Sequence, residues 1–240
     1  MKKLIFLFTV AILLSGSNAA QDINVGASLS YGGPIPSEKP ENAYGNPLLG
    51  VSTGASLSFP IGGRFSISTG LHYSFHGLDY GQSITRDTLI AVEINDVVHE
   101  VPSYYTSHVT GKLRLHYIDF SFLMGYRIWK LQFLVGPYLS FLLSGKDEGD
   151  VRIVIGSGEV FEDEYEQFDK SHDLRKMEYG IMFAANTPIY KNLGVEMKFS
   201  RSFITLHNYE NNESSGQGNI DLYSTYLQVG LIYKLQKNKE

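Results

Sequence analysis

The tightest constraint on this chain is an alternation of period two that returns along almost its whole length. Between Tyr223 and Leu235, one face carries Tyr223, Thr225, Leu227, Val229, Leu231, Tyr233 and Leu235. The other carries Ser224, Tyr226, Gln228, Gly230, Ile232 and Lys234. Likewise Phe65, Ile67, Thr69, Leu71, Tyr73 and Phe75 oppose Ser66, Ser68, Gly70, His72 and Ser74, and Val51, Thr53, Ala55, Leu57 and Phe59 oppose Ser52, Gly54, Ser56 and Ser58. Successive side chains of a strand point to opposite sides, so this separation fits strands with two unlike surroundings. Eight such segments are expected: Asp22 to Gly32, Gly50 to Phe59, Arg64 to Leu78, Leu113 to Ile128, Leu131 to Ser144, Arg175 to Thr187, Asn192 to Leu206, and Ile220 to Leu235.

The connections alternate as well. Those at 60–63, 129–130 and 188–191 are short, and those at 33–49, 79–112, 145–174 and 207–219 are long. Short turns at one end and long loops at the other describe an up-and-down antiparallel barrel. Ten residues at about 3.3 Å each, tilted near 40°, rise about 25 Å, the height of the apolar band of a membrane barrel. A soluble barrel would put its apolar face inside, but its outer face would then carry many Lys and Glu. A polar face of Gly and Ser fits the cramped lumen of a small barrel, which turns the apolar face toward lipid. Phe59, Phe65, Phe75, Tyr126, Trp129, Tyr190 and Tyr233 near strand ends suit the aromatic girdles at the membrane boundaries. The fold class expected is therefore all-β: a transmembrane up-and-down antiparallel barrel, most simply of eight strands, with short periplasmic turns and long extracellular loops.

The start of the chain agrees with that destination. Lys2 and Lys3 precede an apolar run from Leu4 to Leu14, and Asn18-Ala19-Ala20 offers a small-residue cleavage site, so residues 1–20 read as a secretory signal peptide and 21–240 as one mature domain. The apolar run is too short to cross the hydrocarbon layer as a helix. There is no cysteine, which excludes disulfides and attachment of lipid at a mature N-terminal cysteine. Lys and Arg number 20 against 25 Asp and Glu, a formal charge of −5, so nothing favours nucleic acid as a partner.

Charges on the inward parity need partners. His72, Asp119, Arg127, Glu178, Glu196 and Lys198, with Lys234 at the end of the last strand, form a candidate interior polar network whose simplest role is structural. His72 and Asp119 are expected level on neighbouring strands, able to hydrogen-bond, and Arg127 and Glu196 are expected to pair across the lumen. A barrel of eight strands is filled by its own side chains, which argues against a wide pore. Arg114, His116 and Arg201 fall on the outward parity near the long loops, where snorkelling to an interface or contact with anionic lipid headgroups accounts for them.

Two hairpins are expected to rise above the membrane, one from Thr88–Ile94 and Val97–Val101 around Asn95-Asp96, the other from Val151–Ile155 and Glu159–Glu162 around Gly156-Ser157-Gly158. Counted as membrane strands they would make ten or twelve, but Glu93, Asp96, Glu100 and the acids after residue 158 argue against lipid contact. Asp147, Glu148, Asp150, Glu159, Glu162, Asp163, Glu164, Glu166 and Asp169 form a candidate acidic loop against one base, Arg152. Its spacing matches no EF-hand, so it reads as a solvated face rather than a Ca²⁺ site. No GxSxG elbow, HExxH helix or phosphate loop occurs, and although His72, His76, His108, His116 and His207 could approach the rim, no catalytic residue, metal site or cofactor is expected.

Tyr117-Ile118-Asp119-Phe120, Gly125-Tyr126-Arg127, Gly136-Pro137-Tyr138-Leu139, Leu142-Leu143-Ser144-Gly145 and the closing Gly230-Leu231-Ile232-Tyr233-Lys234-Leu235 resemble the PorT-like outer-membrane β-barrel family. Ser121 stands where that family often has proline, and Leu235, followed by Gln236 to Glu240, where its last strand commonly ends in an aromatic. The resemblance implies a cell outer-membrane location and barrel architecture. A member of the family is associated with type IX secretion, which makes an accessory role in a secretion or envelope machine the alternative to a structural or interaction scaffold. A rim-sited lipid hydrolase or acyltransferase is a third, weaker reading. Partners expected are outer-membrane lipid and an envelope or secretion protein held through the loops, with the chain itself a monomer.

Overall fold

The computed structural model describes residues 22–36, 42–94, 97–157, 160–206 and 222–235; the expected signal peptide lies outside them. Nine strands follow in chain order: β1 (Asp22–Pro36), β2 (Ala43–Gly62), β3 (Phe65–Ile94), β4 (Val97–Ile128), β5 (Leu131–Ser157), β6 (Val160–Asp169), β7 (Met177–Tyr190), β8 (Leu193–Thr205) and β9 (Leu222–Leu235). All pairings are antiparallel. The order β4-β3-β2-β1-β9-β8-β7-β5 is closed by β4 pairing with β5, so eight strands form a ring, and β6 hangs on β5 outside it.

The three short turns hold their hairpins tightly, because two strands can reverse in so few residues only with a backbone at positive φ. Gly63 supplies φ 56 without steric cost, whereas Trp129 and Lys191 reach φ 53 and 44 despite their side chains. That conformation costs about 1–2 kcal/mol in a non-glycine residue. At Trp129 it is imposed by β4 and β5, which stay paired down to Ile128 opposite Leu131.

The alternation meets opposite surroundings as expected. On β9, Leu227, Val229 and Leu231 are 44%, 50% and 52% exposed to the outside of the ring, while Ser224, Tyr226 and Gln228 are buried within it. The lumen is nevertheless not lined by Gly and Ser alone. Leu78, Leu113, Leu115, Tyr117, Leu174 and Leu206 pack together toward the long-loop end, and Leu123, Leu134, Tyr138, Met182 and Ala184 form a second apolar cluster inside. Leu174 follows a short 3-10 turn at Ser171–Asp173 and reaches back into the mouth of the barrel.

The long connections depart most from expectation. Residues 79–112 are not a loop: β3 and β4 remain in unbroken register from Phe65 opposite Tyr126 to Ile94 opposite Val97. β5 follows β4 upward until Gly156 meets Tyr104, and β6 returns along β5 from Ser157 opposite Val160 to Glu148 opposite Asp169. The two hairpins above the membrane therefore join edge to edge as one four-stranded ribbon continuous with the wall. Ser103 donates its hydroxyl to the Gly156 carbonyl across that joint.

Candidate functional site

Three regions carry the chain's polar chemistry: the lumen, the rim and the ribbon. In the lumen, Lys198 Nζ stands 2.6 Å from Glu196 Oε2 and 3.2 Å from His72 Nε2. Glu196 and Lys198 are two apart on β8, so both point inward and lie within reach of each other. His72 is indeed opposite Asp119 in the β3–β4 register, yet the two rings of contact differ: His72 turns to Lys198, and Asp119 accepts from the Ser74 hydroxyl at 2.6 Å. Higher up, Tyr117 donates to Glu178, and Ser30 Oγ meets His76 Nδ1 at 3.2 Å. His76 stacks on Tyr226 with ring centroids 3.7 Å apart.

One expected member does not take its expected place. Arg127 is exposed at the periplasmic end rather than paired across the lumen, because it is the penultimate residue of β4 and Glu196 already has Lys198 beside it. Lys234, also near that end, pairs with Asp22 at 2.6 Å. The pairing of His72 with Asp119 is likewise replaced by the two separate contacts above. The histidines do not converge: His72 and His76 face the lumen, His116 bonds the Tyr73 hydroxyl at 2.6 Å on the outside, His108 is exposed on the ribbon, and His207 lies outside the described residues. The Ser30–His76 pair is fully enclosed, with Ser30 1% and His76 4% exposed, so a substrate has no approach to it.

The candidate acidic loop separates into different jobs. Asp147 is buried on the inner face, where its carboxylate accepts from the Tyr80 hydroxyl at 2.7 Å and its backbone N–H donates to Ser171 Oγ at 2.9 Å, so it belongs to the seal of the mouth and not to an acidic surface. Glu148 pairs with Lys146, and Asp169 accepts from the Ser171 N–H at 2.9 Å. On the β5–β6 hairpin Arg152 grips Asp163 with Nε at 3.0 Å and Nη2 at 2.7 Å, which holds that carboxyl below the usual carboxylate range. Glu164 and Glu166 are exposed and Asp150 is half-buried; Glu159 and the side chain of Glu162 lie outside what the structure describes. Among the described residues no group of three His, Asp or Glu is placed to hold a metal ion.

Residues 15–208 match the family model described as outer membrane protein beta-barrel domain. The chain belongs to this family. No curated protein matches. Among solved structures, the chain is similar to Neisserial surface protein A at 12% identity, covering 89% of this chain and 97% of that one with a TM-score of 0.34. It is similar to Ail of Yersinia pestis, in complex with a heparin analogue, at 10% identity, 90% and 99% coverage and a TM-score of 0.38. It is also similar to CarO2 of Acinetobacter baumannii at 12% identity, 89% and 99% coverage and a TM-score of 0.31. Likenesses this remote say nothing of what the chain binds.

As an outer-membrane barrel, the molecule exposes its apolar belt to lipid. Going up the outside of β4 from Tyr126, the belt runs through Met124, Phe122, Phe120 and Ile118 to His116, and Arg114 is the first cation above it. Reading by parity finds these outward residues and the inward charges. It misses Ser74, Tyr117 and Tyr80, the hydroxyls that satisfy Asp119, Glu178 and Asp147. Their sequence signal is weak, since a Ser or Tyr on an inward parity is ordinary filling for a small barrel.

Proposed function

We propose that this outer-membrane barrel is a non-enzymatic scaffold without a wide pore, delivered by its signal peptide, working as a monomer and presenting the β3–β6 ribbon outside the cell. The observation that carries this reading is the filled lumen: two apolar clusters with the bonded charges of Lys198, Glu196, Asp119 and Glu178 between and around them. A strand wall this small leaves no continuous water path once such side chains occupy it, and a rigid wall carrying a long projecting element suits contact with other molecules. Reconstituted in a planar bilayer, the protein should stay electrically silent and release no fatty acid from vesicle lipid. Sustained conductance steps of porin size, or lipid turnover, would overturn the reading.

An accessory role in a secretion or envelope machine, in keeping with the PorT-like resemblance, is favoured by one further feature. Among the described residues β6 pairs with β5 alone, which leaves residues 160–169 as an edge of the kind that takes a strand from a partner. Deleting the β5–β6 hairpin would then remove a co-purifying envelope protein without unfolding the barrel.

A further inference from the structure

The outer face of β3, β4 and β5 gathers charge where the lipid belt ends. His116, Arg114 and Lys112 follow one another on the outward parity of β4; Asp79 lies opposite Lys112 on β3, and Lys146 and Glu148 lie opposite Arg114 and Lys112 on β5. Strands stand about 4.8 Å apart and alternate residues on a strand about 7 Å apart, so these side chains share a patch the size of one headgroup. From Tyr126 at the periplasmic girdle to His116 is about ten residues, which at about 3.3 Å each and a tilt near 40° rise about 25 Å, the full height of the apolar band. Arg114 therefore stands at the level of the outer-leaflet headgroups.

We propose that this patch is a binding site for the phosphate of an outer-leaflet lipid, with Arg114 as its anchor and Lys112 and Lys146 as flanking cations. Beyond the scaffold reading, it requires only that the barrel sit in the membrane. Arg114 is not a loosely snorkelling side chain. Its Nη1 donates to Asp79 Oδ1 at 3.2 Å and to the Leu113 carbonyl at 3.0 Å, which fixes the guanidinium plane. Both bonds use one nitrogen, so among the described residues Nε and Nη2 remain as a free, pre-set pair of donors of the kind that takes a phosphate bidentately. The side chain is 33% exposed, accessible from the lipid side. Lys146 is held by the exposed pair with Glu148 and acts on the neighbouring Asp169 carboxylate, exposed contacts that yield readily to a stronger anion. Lys112 makes no ion pair among the described residues. With Asp169 opposite Glu148 on β6, three cations meet three carboxylates, so the directed donors of Arg114, not an excess of positive charge, would select the phosphate. Beneath it, the Tyr73–His116 bond and the Phe75 ring, 4.9 Å from that of His116, form an amphipathic floor suited to the glycerol or sugar region.

The test is native mass spectrometry of the full chain folded in detergent, offered phosphatidic acid, diacylglycerol of the same acyl chains, or inorganic phosphate. Phosphatidic acid should be retained about tenfold over diacylglycerol, and millimolar inorganic phosphate should not displace it. K112Q/R114Q/K146Q should lose that preference, R64Q in the short turn between β2 and β3 should keep it, and D79N, which removes a competing negative charge while its amide oxygen can still accept from Nη1, should strengthen it. Equal retention of the two lipids, displacement by inorganic phosphate, loss of the preference in R64Q, or unaltered retention in the triple variant would overturn the proposal. If the triple variant does not fold, D79N decides: weaker or unchanged retention overturns it, stronger retention supports it.

Discussion

Lys198 shows how much a single side chain can weigh inside a barrel. It is 7% exposed, and its ammonium is shared between Glu196 and His72. Removing one partner of a buried pair leaves the other charge uncompensated, at a cost of about 3–5 kcal/mol, whereas a volume-conserving change on a lipid-facing surface usually costs under about 1.5 kcal/mol. Lys198→Met should therefore lower the urea midpoint of the folded barrel far more than Phe199→Leu one residue along; equal midpoints would remove the inward assignment of Lys198. The glycines opposite explain why the polar face is so small. A Cβ on Gly54 would lie 2.2 Å from the Leu71 carbonyl oxygen and 2.7 Å from His72 Cδ2, and one on Gly70 2.7 Å from His72 Cε1, so Gly54 is kept bare first by the neighbouring backbone and Gly70 by the imidazole that meets Lys198. Parity in the sequence is enough to send these residues inward. It does not choose partners, which depend on the stagger of strands around the ring. One pair needed no stagger, since Glu196 and Lys198, two apart on one strand, share a face in any case, and assigning Glu196 to Arg127 across the lumen passed over it.

At the scale of elements, the strands that cross the membrane were legible because lipid on one side and lumen on the other impose opposite chemistries on alternate residues. Above the membrane that contrast vanishes. At Thr85, Arg86 and Asp87, all exposed, both faces of the ribbon meet water, so these residues follow one another without alternation and a continuous strand looks like a loop. The charges there do argue against lipid contact, but a strand needs only paired backbone, not lipid, to continue. Because the ribbon's bonds close among its own strands, the barrel does not depend on its upper part. Thr85 and Thr106 face each other with their hydroxyls 3.1 Å apart, a natural place to rejoin the chain. Replacing residues 86–105 by Asn-Gly, which favours a two-residue hairpin turn, should leave a barrel that still migrates differently on a gel before and after boiling. Loss of that heat-modifiable form would show that the ribbon is part of the folding unit.

The whole molecule is ordered by height, and each layer matches what surrounds it. Trp129, 92% exposed, and Ile189 and Tyr190, 59% and 64% exposed, crowd the short turns where an interface welcomes aromatic and apolar rings. The lipid belt follows, then the cations around Arg114, and last the ribbon, whose β5–β6 hairpin carries exposed Asp163, Glu164 and Glu166. The order itself fixes the direction of insertion, because an outer-membrane barrel keeps its short turns in the periplasm and its long extensions outside. The chain contains no cysteine, so a single introduced thiol reports its side of the membrane without background. Glu166→Cys, exposed on β6, should react with a membrane-impermeant maleimide on intact cells. Lys130→Cys, exposed in the turn between β4 and β5, should react only after the outer membrane is permeabilised. Both substitutions fall on solvent-facing positions away from the lumen, where changes usually alter stability by less than about 0.5 kcal/mol, so labelling reads topology and not unfolding. Labelling in the reverse pattern would invert the molecule, placing the ribbon in the periplasm and carrying the Arg114 patch to the inner leaflet with it.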